Sequence, residues 1–189
     1  MRTAIPSLAA LTLLLLLAAV PARAQLSLGI HGGYSPDSFS SEGIGEGARL
    51  LGGQLRMGLS GLSLIVNPSF DYYYDGIDGV RAFQFNANAL IPLGSSRSGL
   101  MPYIGAGLGY TRVEQDGFIS MLSSVSEVPA VYTGTGLNIL GGTELGTGPV
   151  RLFGEARYTF GQHAIFLEED LEAGSGLAFT GGLLFKVGY

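Results

Sequence analysis

The chain has 189 residues, a formal net charge of −5, ten cationic residues and no cysteine. This acidic balance argues against nucleic-acid binding, because few cations are available to neutralise phosphates. The absence of cysteine excludes disulfides and thiolate metal sites. A mean hydropathy of +0.36 with 31 glycines leaves two classes, a very apolar soluble β-protein or a barrel whose apolar residues face lipid.

The N-terminal segment has the three parts of a secretory signal. Arg2 precedes the apolar run "AALTLLLLLAAV", and Ala22 and Ala24 form a small-x-small cleavage pattern. The apolar run is shorter than the roughly twenty residues that a transmembrane helix needs. We therefore predict a cleaved signal peptide over 1–24 and one exported domain over 25–189. The exported domain would carry a charge of −7, since eight cations and fifteen acids follow residue 24.

Eight segments of alternating polarity follow, which is the pattern of β-strands with two different faces. In chain order they are "QLSLGIHGGYS", "RLLGGQLRMGL", "LSLIVNPSFDYYY", "RAFQFNANALIPL", "PYIGAGLGYTR", "TGLNILGGTELG", "VRLFGEARYTF" and "LAFTGGLLFKVGY". In the last segment Phe179, Leu183 and Phe185 share one face, and Lys186 lies on the other. No segment has a strong helical period, so the sequence predicts an all-β fold.

The connections between these segments are longer at one end of the predicted sheet than at the other. Long polar stretches follow the first, fifth and seventh segments, whereas only "SG" follows the second and "GTGP" the sixth. The connections after the third and fourth segments are similar to each other in length. Bacterial outer-membrane barrels combine short periplasmic turns with longer outer loops. We therefore predict an eight-stranded antiparallel up-and-down transmembrane β-barrel, whose last strand pairs with the first because an open edge in lipid leaves backbone groups unsatisfied.

Three stretches, "PYIGAGLGY", "RLFGEARYTF" and the terminal "GGLLFKVGY", resemble the small eight-stranded outer-membrane barrels of the OmpA and OmpX type. The resemblance implies a location in the outer membrane of a Gram-negative-type bacterium, in contact with lipid and lipopolysaccharide. It also implies that the barrel-assembly machinery reads the terminal aromatic residue, here Tyr189. These motifs specify a fold and no chemistry.

Aromatic residues fall near the predicted strand ends, where amphipathic rings favour the two membrane interfaces. The alternative is that they are ordinary core residues of a β-sandwich. We expect one girdle beside the long loops and one at the opposite rim. The residues are Tyr34, Tyr72, Tyr74, Tyr110, Tyr158 and Phe160 beside the loops, and Phe185 and Tyr189 at the opposite rim.

The predicted inward faces carry charged side chains, which must form pairs in a lumen barely wide enough for side chains. Glu144 and Arg151 flank "GTGP" and are expected opposite each other, with Lys186 at a similar depth to Arg151. One hypothesis is a structural network that fixes strand register. The other, implied by the resemblance, is a switchable Glu–Arg–Lys plug that gates small ions. The proposed network comprises Arg56, Glu144, Arg151, Glu155, Arg157 and Lys186, with Asp71 nearer the outer rim.

Three further stretches could suggest a nucleotide, catalytic or metal site, but each has a simpler structural interpretation. The glycine-rich "GAGLGY" lacks the following helix that a dinucleotide site needs, so its glycines are expected to make room for large neighbours. His163 lies near Glu168 and Asp170 in sequence, but no hydrolase motif accompanies it. The acidic "EEDLE" could bind a divalent ion, yet a solvated loop is the simpler interpretation, because oxygen ligands need a fixed geometry. We predict no enzyme activity, no cofactor and no metal site.

The sequence thus predicts a structural or surface-interaction role that maintains the envelope and presents the loops after strands one, five and seven to an unknown extracellular partner. A narrow passive pore lined by the inward charges is the first alternative. The others are a soluble lipocalin-like carrier and a barrel hydrolase, such as a lipid A-modifying enzyme or a protease.

Overall fold

The computed structural model describes residues 25–36, 47–59, 62–74, 80–94, 99–115, 130–164, 171–173 and 176–187. The predicted signal segment lies outside these ranges. Within them every regular element is a strand: β1 (Gln25–Ser35), β2 (Ala48–Leu59), β3 (Leu64–Tyr74), β4 (Val80–Pro92), β5 (Leu100–Gln115), β6 (Ala130–Leu145), β7 (Val150–Ala164), β8 (Leu171–Ala173) and β9 (Gly176–Val187). None of the described residues form a helix long and apolar enough to cross a membrane.

The strands form one closed antiparallel sheet. Each strand from β1 to β7 pairs with the next, β7 also pairs with β9, and β9 pairs with β1. The first and last strands meet in register, with Leu26 opposite Val187 and Tyr34 opposite Phe179. The predicted all-β, eight-stranded antiparallel barrel is confirmed.

The short strand β8 is the outer part of the eighth wall strand. Gln162 lies opposite Ala173 in the β7–β8 pair, and Thr159 lies opposite Gly176 in the β7–β9 pair. The two pairs have the same register, since the residue numbers in each add to the same value. β8 and β9 are therefore one strand in two pieces.

The two ends of the barrel differ. We call the end that holds Gln25 and Val187 the terminal end; it also holds the β2–β3, β4–β5 and β6–β7 turns. We call the opposite end, where β1, β3, β5 and β7 finish, the loop end. At the loop end the β5–β6 hairpin is longer than its alternation pattern indicates, because the ladder continues to Gln115 opposite Ala130. Part of the stretch expected to be a loop is therefore strand.

The barrel is apolar outside and polar inside. The outward Leu108 and Leu137 are 63% and 61% exposed, whereas the inward Asn67, Asp71 and Asn138 are 0–1% exposed. Soluble barrels have the reverse arrangement, with apolar side chains turned inwards. Two small apolar clusters also lie within the lumen: Ala48, Leu50, Tyr73, Ala82 and Ala178 form one, and Leu90, Tyr103 and Leu140 the other.

Candidate functional site: two charge clusters in the lumen

Arg56 organises a cluster of charges in the terminal half of the lumen. Its Nη1 donates to Glu144 Oε1 at 2.6 Å and its Nη2 to the Tyr103 hydroxyl at 2.8 Å. Glu155 Oε2 lies 3.6 Å from the same Nη2 and accepts a 3.0 Å hydrogen bond from Tyr103. The Arg56 side chain is only 3% exposed. We call Arg56, Tyr103, Glu144 and Glu155, together with Arg151, the terminal-side cluster.

The terminal-side cluster ties together four walls of the barrel, because its members come from β2, β5, β6 and β7. The Arg56 guanidinium also lies over two rings, 4.6 Å from the centroid of Tyr103 and 5.0 Å from that of Phe153. Such cation–π contacts are favourable where water is excluded. One cation on β2 thus contacts groups on the opposite side of the lumen.

Arg151 joins this cluster from the other side of Glu144. Its Nη1 donates to Glu144 Oε2 at 2.9 Å across the β6–β7 turn. Each oxygen of Glu144 therefore accepts from a different arginine.

Lys186 is placed differently from the proposed Glu–Arg–Lys trio. It faces the lumen opening at the terminal end, is exposed, and makes no ion pair with any residue that the structure describes. The second cation on Glu144 is Arg56 instead, because the long side chain from β2 crosses the lumen. Lys186 lies beyond Leu184 on β9, close to solvent.

A second set of charges, the loop-side cluster, surrounds Asp71 on β3. Arg157 Nη2 donates to Asp71 Oδ2 at 2.5 Å, and His31 Nε2 lies 2.6 Å from Asp71 Oδ1. Asn86 donates to Oδ2 at 3.1 Å. Asp71 is 0% exposed and Arg157 3%, so the pair is removed from water. Arg157 belonged to the predicted network, but the role of His31 did not emerge from the sequence.

Neutral polar side chains extend the loop-side cluster around the lumen. Asn138 donates to Asn86 and Asn88 at 2.9 and 3.1 Å and accepts from Thr159 at 2.9 Å. Gln84 accepts from Tyr73 at 2.7 Å. The alternating polar residues of the fourth segment were a signal that these positions face inwards.

Inward glycines provide the room that the large polar groups need. A Cβ at Gly142 would lie 2.5 Å from the Tyr103 hydroxyl, and one at Gly52 would meet both His31 and Asp71. A Cβ at Gly107, within the "GAGLGY" stretch, would collide with Asn88. This stretch lies inside β5 and does not form a loop.

No protein-family model matches the sequence, and no curated protein is similar to it in sequence. Solved structures do match. Neisserial surface protein A matches with a TM-score of 0.66 at 17% identity, over 87% of this chain and 99% of that one. The N-terminal β-barrel domain of Pseudomonas aeruginosa OprF gives 0.55 at 19% identity, over 87% and 100%. Ail, the attachment invasion locus protein of Yersinia pestis, gives 0.50 at 12% identity, over 87% and 97%.

This chain has the fold of the small eight-stranded outer-membrane barrels. At these identities the likeness establishes the fold and does not extend to the chemistry of the lumen.

The outer face of this outer-membrane-type barrel carries paired aromatic rings toward the loop end. Tyr158 and Phe160 lie 4.6 Å apart, and Tyr72 lies 6.1 Å from Tyr74 and 5.1 Å from Phe83. The exposed rings of Tyr34 and Tyr110 lie on the same half of the barrel.

The aromatic belt extends beyond the residues selected from the sequence. Phe70 lies 4.9 Å from Phe85 and 6.2 Å from Phe83. Phe185 is exposed near the terminal end. Tyr189 is outside the described residues.

The residues that the sequence offered for catalysis or metal binding do not belong to either charge cluster. Glu168, Glu169 and Asp170 lie outside the described residues; the backbones of His163 and Glu172 pair between β7 and β8. Across the described strands, no group of three or more His, Asp or Glu could hold a metal ion. His31 contacts Asp71, and its Nδ1 meets no described hydrogen-bonding group.

Proposed function

We propose that the protein is an integral outer-membrane barrel with a closed lumen, whose role is structural and surface-interactive. In this proposal the signal over 1–24 is removed, the terminal end faces the periplasm, and the loop end faces outside. The barrel is surrounded by lipid and lipopolysaccharide and presents its loops to an extracellular partner. The barrel-assembly machinery inserts it and reads Tyr189.

The observation that carries this proposal is the inverted polarity of the wall. An exposed apolar belt is favourable against lipid acyl chains and unfavourable against water. The buried charges on the inner face are paired across the lumen. This pairing favours a plugged lumen over a water-filled channel. Two structural neighbours are a neisserial surface protein and an attachment invasion locus protein, which supports a role at the cell surface.

A labelling experiment tests the location and the orientation together. The chain has no cysteine, so a single introduced cysteine is the only thiol to label. Ser40→Cys lies in the chain between β1 and β2, whose paired ends Ser35 and Ala48 are at the loop end, and Thr147→Cys lies in the β6–β7 turn at the terminal end. On intact Gram-negative cells, a membrane-impermeant maleimide should label Ser40→Cys only; Thr147→Cys should react after lysis.

The opposite labelling pattern would contradict the orientation. Recovery of unlabelled protein in the soluble periplasmic fraction would contradict the membrane location and favour the soluble carrier. The described contacts of His31 do not favour a hydrolase, because its Nε2 lies against the Asp71 carboxylate and its Nδ1 has no described partner.

A narrow gated pore is the second candidate function, and one observation favours it. Glu144 is shared between Arg56 and Arg151, so a rearrangement of the shared carboxylate would change the packing of the terminal-side cluster. Single-channel recording in a planar bilayer distinguishes the two functions. The closed-barrel proposal expects insertion without conductance steps, whereas discrete steps that change in Glu144→Ala would establish the pore.

A further inference from the structure

A cavity of about 320 Å³ opens at the terminal end of the barrel, on the side opposite the long connections. Its inner wall is formed by Arg56, Glu144 and Arg151, so the terminal-side cluster separates it from the rest of the lumen. The cavity is within the size range of small-molecule sites, which run from about 300 to 1,000 Å³.

The cavity combines apolar and cationic walls. Ile65 and Met101, which share the lumen-facing positions of their strands, contribute apolar surface, and Leu59 and Leu64 lie at its rim where β2 and β3 meet. Three cations, Arg56, Arg151 and Lys186, face one carboxylate, that of Glu144. The lining therefore has a net positive charge, although the protein as a whole is acidic.

Both carboxylate oxygens of Glu144, the acidic residue of the lining, already accept hydrogen bonds. Glu144 Oε1 accepts from Arg56 at 2.6 Å and Oε2 accepts from Arg151 at 2.9 Å. Arg56 also donates to Gln54 and Tyr103, so all three of its nitrogens have partners. The cationic donors that remain for a ligand belong to Arg151 and Lys186.

Arg151 and Lys186 lie close together on the lumen face of neighbouring strands. Arg151 is paired with Leu184, two residues before Lys186 on β9, and the Lys186 amide donates to the Pro149 carbonyl at 2.8 Å. The Nε of Arg151 is buried and has no partner among the described residues. Lys186 is exposed and forms no ion pair with them.

We infer that this cavity binds a small organic carboxylate that carries an apolar body. Arg151 and Lys186 hold the carboxylate by charge-assisted hydrogen bonds, and the leucine, isoleucine and methionine side chains contact the apolar body. A neutral molecule of the same shape gains only the apolar contacts. This binding function goes beyond the proposed surface role, because it operates at the opposite end of the barrel.

The test uses benzoate as the probe and benzamide as its uncharged match in shape. The protein is refolded in a nonionic detergent, and backbone amide shifts are followed by NMR during each titration. Benzoate should produce saturable shifts at Ser27, Arg151 and Lys186, whereas benzamide should bind about tenfold more weakly, the effect of losing a hydrogen bond to a charged group.

Lys186→Gln is the main variant, because the exposed side chain forms no ion pair with described residues and its loss should leave the fold intact. It should weaken benzoate binding about tenfold and leave benzamide binding unchanged. Arg151→Gln should act in the same direction. Arg112→Gln removes an equal charge from the outer face of β5 and should change neither titration.

Two outcomes overturn the inference. One is equal affinity for benzoate and benzamide, which would show that the cavity does not recognise the carboxylate. The other is an equal loss of benzoate affinity in Lys186→Gln and Arg112→Gln. That result would show that benzoate responds to the net charge of the protein and not to this cavity. Neither outcome bears on location or orientation, which the cysteine labels report.

Discussion

At the scale of single residues, the Asp71–Arg157 ion pair is more completely buried than the Arg56–Glu144 pair, so its stability depends most on both partners being present. Asp71→Asn leaves the Arg157 guanidinium buried without its carboxylate. Breaking a buried pair from one side costs about 3–5 kcal/mol. We expect the free energy of unfolding, measured by urea titration in lipid vesicles, to fall by that amount.

The exposed pair Arg112–Glu114 is the matched control. Arg112 Nη2 lies 2.7 Å from Glu114 Oε1, as close as a buried pair, but the two side chains are 48% and 35% exposed. Glu114→Gln should change stability by only about 0–1 kcal/mol. An equal loss in both variants would mean that water reaches Asp71. The double variant Asp71→Asn with Arg157→Gln should recover part of the loss, because no uncompensated charge remains.

Gly142 gives a second test, of packing around Tyr103. A Cβ there would lie 2.5 Å from both the Tyr103 hydroxyl and the Gly154 carbonyl oxygen. Gly142→Ala should displace Tyr103 from Arg56 and Glu155 and cost about 1–3 kcal/mol, as overpacking does. Gly154→Ala is the control, since its Cβ would meet nothing within 4 Å. Equal unfolding midpoints for the two variants would contradict the close packing at Tyr103.

The sequence indicated which residues face the lumen but not which of them touch. Period-two alternation places Arg56, Asp71, Glu144 and Arg157 on one face of their strands. Which pairs form depends on the stagger between distant strands and on how far each side chain reaches. Arg56 reaches Glu144, 88 positions away in the chain. No local pattern contains that information, so the alternation predicts Arg56 and Lys186 as members of one network without showing that Arg56 is the one that reaches Glu144.

At the scale of the strand, the outward faces predict how a charge is tolerated at different depths. Leu108 lies in the middle of β5 and is 63% exposed; Leu62, in the β2–β3 turn, is 64% exposed. If lipid surrounds the strands, Leu108→Arg should cost about 2–4 kcal/mol and Leu62→Arg about 0–1 kcal/mol. Unfolding in vesicles measures both. Equal costs would show that Leu108 faces water, because exposure alone does not distinguish the two sites.

Strand number and order follow well from the sequence, and strand length less well. The alternating pattern ends with the last apolar residue of a strand, but the backbone hydrogen bonds between neighbouring strands continue past that residue. The strands are therefore longer than the pattern predicts. In the β5–β6 hairpin the paired positions Glu114 and Val131 are already outside the recognisable pattern. β8 was missed for the same reason, since its three residues extend the eighth strand within a stretch predicted to be a loop.

At the scale of the whole molecule, the lumen contains two charge clusters in sequence along its axis. The loop-side cluster contains Asp71 and Arg157, and the terminal-side cluster contains Arg56 and Glu144. Leu90, Tyr103 and Leu140 form an apolar cluster that adjoins both: Tyr103 also belongs to the terminal-side cluster, and Leu140 lies opposite Arg157 on the neighbouring strand. In the proposed closed barrel, both charge clusters have to open before ions can cross.

This arrangement predicts the conductance of paired variants. Asp71→Ser with Arg157→Ser removes one ion pair completely, and Arg56→Ser with Glu144→Ser removes the other. Each double replacement removes one positive and one negative charge, so the net charge of the lumen is unchanged. In the Arg56–Glu144 variant the remaining Arg151 and Glu155 carry opposite charges on the same strand, so each barrel should still fold. In planar bilayers each two-residue variant should insert without conductance steps, because the other cluster still closes the lumen.

The variant with all four serines should conduct in discrete steps, since both obstructions are shortened at once. Steps in the Arg56–Glu144 variant alone would show that the terminal-side cluster is the only barrier and would favour the gated pore. Silence in the four-serine variant would place the barrier in the apolar cluster; adding Leu90→Ala and Leu140→Ala should then produce the steps. Each result identifies the layer of the lumen that excludes water.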